Sequence, residues 1–205
     1  MESAIFGLIG VVLGAVLTVV KEWWFKRKTA QKESEYLAIL VAFSLEKFAS
    51  ECVNVVYDDG LFQGQYDTDG CCSIQVSTPN FCPHTINVEW KSVPAALMYE
   101  IFNLVNEIDA ANHRISGVFE NGSGPPDYED GFEERQCSYA SIGIEALRLA
   151  DRLRALCRLP KRDLLNWDPA EAMRTRQKEI DASKVQTIKR HEDLMKAMSE
   201  TANAG

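Results

Sequence analysis

Seventeen consecutive uncharged residues, Ala4 to Val20, stand at the front of this chain, and Lys21-Glu22-Trp23-Trp24-Phe25-Lys26-Arg27-Lys28 follows at once. A helix needs roughly 17–25 apolar residues to cross a bilayer core. The run therefore predicts an uncleaved N-terminal transmembrane helix. A secretory signal peptide would open with basic residues and offer a small-x-small cleavage site. Here the only charged side chain before the run is Glu2, and a bulky Trp-Trp-Phe segment follows it. A helix buried in a soluble core would normally carry a polar stripe, and this run has no charged position at all.

Lys21, Lys26, Arg27 and Lys28 lie after the run and no Lys or Arg lies before it. The positive-inside bias then places the C-terminal side in the cytoplasm and the N-terminus outside, and it seats Trp23 and Trp24 in the headgroup layer. These six residues are the expected membrane-interface anchors, and the lipid bilayer is the first expected partner. The apolar run also has a face. Ser3, Gly7, Gly10, Gly14 and Thr18 recur at helical spacing, and small residues let membrane helices approach closely enough to gain packing contacts. Gly7, Gly10, Gly14 and Thr18 are the expected packing face, toward a second copy of the chain or another membrane protein.

Beyond residues 1–28, the anchor and its basic aromatic junction, one domain is the natural size. Its charge is uneven. Residues 51–147 hold sixteen acids against three bases, while residues 148–205 hold thirteen bases against nine acids. Nucleic-acid binding depends on cations neutralising phosphates, so the acidic body argues against it. Cys52, Cys71, Cys72, Cys82, Cys137 and Cys157 read as free thiols if the domain is cytosolic, because disulfides belong to oxidising compartments.

The expected fold is all-α, an antiparallel three- or four-helix bundle with one long irregular loop. Leu37, Val41, Leu45, Phe48, Cys52 and Val56 mark one side of a helix that ends at Asp58-Asp59-Gly60 and can run on from the anchor. Residues 58–93 hold several Gly and Pro, with β-favouring pieces at 73–77 and 86–90, and predict a loop with a small hairpin. A second helix starts with Ser92 as cap and Pro94 in the first turn. Its seam is Leu97, Ile101, Leu104, Ile108, Ala111, Ile115 and Val118. A third helix, from near Asp130 to about Arg158, carries Tyr139, Ile142, Ala146, Leu149, Leu153 and Leu156. Residues 29–160 thus form the bundle. Residues 161–205 form a charged helix and tail opened by Asp168 and Glu171 as a capping box, with a sparse apolar side of Met173, Ile180, Ile188 and Met195.

Chemistry-bearing groups are few. Cys71, Cys72, Cys82 and His84 are weak zinc candidates, since thiolates and imidazole are the usual ligands but C-x₂-C spacing is missing. The acids Asp127, Glu129, Asp130, Glu133 and Glu134 suit a helix N-terminus. No phosphate-binding glycine loop, dinucleotide fingerprint or nucleophile elbow occurs. No cofactor is expected, and no enzyme signature is found.

Gly7-x-x-Gly10-x-x-x-Gly14, Trp23-Trp24, Trp90-Lys91-x-Val93-Pro94 and Asn106-Glu107-Ile108-Asp109-Ala110 give a layout that resembles a diffuse set of uncharacterised bacterial single-pass proteins with a Gly-rich anchor and a cytosolic helical domain. The resemblance covers the first 160 residues loosely and implies architecture without an assigned activity. The expected protein is a membrane-tethered interaction or scaffold protein in the cell inner membrane. Two alternatives remain: a small-molecule, metal or redox sensor using the 58–93 loop, and a periplasmic coiled-coil protein, akin in layout to phage spanins, if the topology is reversed.

Overall fold

A computed structural model describes the backbone of residues 2–163 and 167–203 and, within that span, all side chains except those of 2–13, 15, 197 and 199–203. Among the described residues the regular structure is all helical, with no β-strand. Helix α1 is Glu2–Val56, α2 is Ala95–Asn121, α3 is Glu129–Leu156 and α4 is Pro169–Asn203. Two short 3₁₀ turns, Pro83–Thr85 and Trp90–Ser92, lie in the long connection between α1 and α2.

At 1.5 Å per residue the 55 residues of α1 span about 82 Å, and among its described side chains packing is confined to the stretch from Ser34 to Val56. Described side chains from Val16 to Glu33 are exposed; burial begins at Ser34 and is complete at Leu37, Val41, Leu45, Phe48, Cys52 and Val56. Helix α3 is the shared partner. It packs on α1, α2 and α4, and it runs antiparallel to all three. Glu46 meets Arg154 (2.7 Å) between α1 and α3, and Asp58, just past the end of α1, meets Arg135 of α3 (2.9 Å). Asn112 accepts from Tyr139 Oη (2.8 Å) on the α2 side, and Lys184 pairs with Glu133 (3.2 Å) on the α4 side.

Where α1, α3 and α4 converge, Gly143 permits the contact. A Cβ there would lie 2.6 Å from Met173 Sδ and 3.0 Å from Cys52 Cβ, inside any ordinary contact distance. Gly131 plays the same part under the Phe119 ring, 2.5 Å from where its Cβ would stand.

Several expectations shift. Pro94, not Ser92, occupies the N-cap of α2, and Ser92 ends the preceding 3₁₀ turn with its hydroxyl donating to Glu89 O. The pieces at 73–77 and 86–90 form no strands. The only bridge among the described residues is Phe62 with Gln65, across Gln63 and Gly64, both at positive φ, the signature of a type I′ turn. Leu156 is exposed, and Cys157 takes the last packing position, its thiol 3.2 Å from Ser34 Oγ. Met173 and Ile180 join the core as the spacing predicts, but Ile188 and Met195 are exposed. Past Lys184 the described side chains of α4 are exposed.

Glu100 staples the outside of the α2–α3 seam. Arg152 and Arg148 both donate to its carboxylate, the latter at 2.8 Å, and they hold its pKa down to about 2 from the usual 4.5. A depressed carboxylate pKa means that the charged form is favoured by folding. The contribution is complete above about pH 4.5 and disappears as pH falls toward 2. Thermal unfolding at stepped pH should therefore show Glu100→Gln losing less of its own stability than the parent between pH 4.5 and 2. Parallel curves for the two proteins would refute the staple.

Candidate functional site

Two regions carry the residues that sequence pattern singles out. The first is the collar on α1. Trp23, Trp24 and Phe25 are all more than half exposed, and each lies one helical turn from a cation. Arg27 stands 5.2 Å from the Trp23 ring, Lys28 5.2 Å from Trp24, and Lys21 5.9 Å from Phe25. The i,i+4 spacing produces these pairs, and each cation–π contact contributes about 0.5–1 kcal/mol at an exposed site. Lys26 is exposed beside them. The collar is thus a pre-ordered band of rings and positive charge around a helix that touches no other element at this level.

Below the collar, Thr18 Oγ1 donates to Gly14 O (2.9 Å). The hydroxyl is satisfied within the helix and only its methyl faces outward. A Cβ on Gly14 would meet nothing within 4 Å. Gly7 and Gly10 lie outside the residues whose side-chain surroundings are described, as does most of the apolar run. Among the described residues no helix is long and apolar enough to cross a membrane.

The second region is the 58–93 loop. Its anchor is a charge pair that sequence spacing does not reveal. Asp58 and Arg135 are each 1% exposed at the side chain, with Nη1 2.9 Å from Oδ2. Asp58 Oδ1 accepts from Gly60 N (3.0 Å), and Oδ2 also accepts from Gln75 N (3.1 Å) and Val76 N (2.9 Å). Arg135 Nη2 donates to Val76 O, and Gln136 Nε2 donates to Asp58 O (2.7 Å). The carboxylate thus uses four acceptor sites, the capacity of an ionised Asp. Gly60 must be glycine here: its φ is +79°, and a Cβ would fall 2.4 Å from Phe132 Cζ.

The loop's cysteines do not converge. Cys71 closes a turn around Asp67, whose Oδ1 accepts from its backbone N–H (2.9 Å). Cys82 precedes the first 3₁₀ turn, where His84 is exposed. Cys72 lines a cavity of about 410 Å³ with Tyr66, Asp127, Glu133, Gln136 and Arg176. Among the described residues no three His, Cys, Asp or Glu side chains form a group that could hold a metal. All six cysteines are free. Burial, then the nearby Asp127 and Asp59 carboxylates, push the Cys72 thiol up, which suppresses the thiolate that redox chemistry requires.

The acids before and within α3 have structural partners. Asp130 Oδ2 accepts from Ser123 N (2.8 Å) while Ser123 Oγ accepts from Asp130 N (2.8 Å), a reciprocal cap of the kind that satisfies free helix donors. Asp127 accepts from Tyr66 Oη (2.7 Å), and Glu134 pairs with Arg114 (3.4 Å). Neither region yields a nucleophile beside a base, and the collar is the better-formed of the two surfaces. No family model matches the chain, and it matches no curated protein or solved structure.

Proposed function

We propose that this chain is a membrane-tethered interaction protein, held in the bilayer by the Ala4–Val20 segment and presenting its helical bundle on the cytoplasmic side. The observation that carries the reading is the collar: three exposed aromatic rings, each paired with a cation, directly after an uncharged segment. Rings of this kind prefer the headgroup layer, and Lys and Arg prefer the cytoplasmic flank. Anionic headgroups on that side add roughly 1 kcal/mol per basic residue close to the surface.

The free part of α1 also suits a tether. From Lys21 to Ser34 the helix rises about 20 Å without packing, more than two Debye lengths at physiological salt. An acidic body so placed feels little repulsion from the anionic leaflet below it. The bundle then offers its outer faces to partners, and the opposite orientation would make it a periplasmic module.

The test is membrane extraction combined with topology. The full chain should stay in the pellet after alkaline carbonate and be released by detergent. In intact spheroplasts α4 should resist added protease, becoming cleavable only after lysis. Carbonate release overturns the tether; cleavage of α4 in intact spheroplasts overturns the orientation and favours the periplasmic module.

A further inference from the structure

Where α1 enters the bundle it borders a cleft of about 620 Å³. Ala30, Gln31, Ser34 and Glu35 line it from α1, and Lys91 and Arg158 line it from the collar end of the bundle. Arg27 lies three, four and seven residues before Ala30, Gln31 and Ser34. That spacing puts it on the same face of α1, one turn below the cleft. Lys32 and Glu33 leave the helix outside this face, with opposite charges.

The cations of the cleft are unspent. Every other arginine from Arg114 to Arg162 has a carboxylate within 3.6 Å. Among the described residues Arg158 has none, nor does Lys91, and both are exposed. Arg158 also follows the C-cap of α3 at a φ of +56°, a place where glycine is usual and a side chain is strained. Two acids stand nearby. Glu35 accepts from Gln31 Nε2 (2.9 Å), and Glu89 accepts from Lys91 N (3.4 Å). The helix ends favour an anion as well. Pro94 caps α2 without a side-chain acceptor for its first amides, whereas Leu153 O, Arg154 O and Ala155 O at the end of α3 already accept.

We infer that this cleft holds the phosphate of an anionic phospholipid headgroup, between Arg27 below and Lys91 and Arg158 above. The inference rests on the tether proposed above, which sets Arg27 in the headgroup layer and Ala30 about 4.5 Å higher. A guanidinium fork matches phosphate oxygens, and lysine adds a point charge. The acids that would repel such a lipid lie at the opposite end. Asp59, Asp127 and Glu129 line the cavity past Val56, and Val56 stands about 33 Å along α1 from Ser34, several Debye lengths away. A phosphate held this way links the unpacked stretch of α1 to the bundle and fixes the bundle's tilt over the membrane.

The experiment uses the full chain in phosphatidylcholine bilayers with and without phosphatidylglycerol. A benzophenone photocrosslinker is placed at Ala30 and, in a separate protein, at Phe62, which is exposed in the distant loop. Irradiation should add the mass of one phosphatidylglycerol at position 30 and none at position 62. Lys91→Gln with Arg158→Gln should cut that yield roughly thirtyfold at limiting phosphatidylglycerol, two cations at about 1 kcal/mol each. Arg158→Gly should lower the yield roughly fivefold yet raise the melting temperature by about 2–4 °C, because glycine relieves the positive φ. Lost binding is thereby separated from lost folding. An undiminished adduct in the double variant assigns the lipid to the collar and overturns the cleft, as does equal labelling by phosphatidylcholine alone. Loss of the adduct on adding inorganic phosphate overturns the lipid in favour of a free phosphate. No adduct in a chain that resists carbonate overturns the cleft and leaves the tether standing. A charge-dependent adduct in a chain that carbonate releases does the opposite.

Discussion

Replacing Arg135 with Met is expected to lower the melting temperature by roughly 6–20 °C. The argument begins with what is left behind. Asp58 would keep three backbone donors, Gly60, Gln75 and Val76, but its charge would stay buried with no counter-ion, and Val76 O would lose its partner. Breaking a buried pair by removing one member costs about 3–5 kcal/mol, against a total of about 5–15 kcal/mol for a domain. For a chain of this length each kcal/mol moves the melting temperature by about 2–4 °C.

The isosteric change Asp58→Asn is also costly, for a different reason. Both carboxylate oxygens face backbone N–H groups, so either orientation of an amide sets its NH₂ against a donor. The double variant should be less destabilised than the sum of the singles, because each single change strands the other partner. Hydrogen exchange should show the damage first at the Gln75 and Val76 amides, with α2 protected until global unfolding. A shift below about 2 °C in Arg135→Met would mean that water or a moved side chain replaces the guanidinium, and that the pair is not what fastens the loop.

The contrast between seams and loop explains how much of this molecule the sequence pattern discloses. Leu97 through Ile115, and Leu37 through Val56, are readable because burial on a helix repeats every 3.6 residues, and the pattern survives whatever the partner is. Asp58 and Arg135 lie 77 residues apart, and nothing local distinguishes Asp58 from its exposed neighbour Asp59. A clue does exist at Arg135. It is one of three bases among sixteen acids in residues 51–147, set one turn before Tyr139 on the apolar side of α3. Gly143 offers a second clue, as a glycine inside a strong helical seam usually marks close packing. Helix ends are misread for a geometric reason. Periodicity continues through Leu156, Ile188 and Met195, but whether a periodic residue is buried depends on whether the neighbouring helix reaches that far. The collar shows the converse, for its exposure follows directly from four cations at helical spacing among three rings.

The second large effect concerns the proposed anchor. Substituting Val12 with Arg is expected to move the chain from carbonate-resistant to carbonate-released while leaving the bundle's melting temperature unchanged. Residues 4–20 contain eleven Ile, Leu, Phe and Val. At about 0.3–0.6 kcal/mol each on an insertion scale, they favour the membrane by roughly 3–7 kcal/mol before the glycines are counted. Arginine at the centre of a spanning helix costs about 2.5–3.5 kcal/mol on the same scale, enough to cancel half or more of that. The same substitution at Phe25, inside the collar, should have almost no effect, because headgroups accept a guanidinium. Stability should be untouched in both variants, since among the described side chains of α1 packing starts at Ser34 and the tether places Val12 in lipid. The pairing of results decides the matter. If Val12→Arg stays with the membrane as firmly as the parent, the apolar run is not what holds the chain there, and the collar alone must account for any binding. If Val12→Arg lowers the bundle's melting temperature, the run packs on protein rather than lipid.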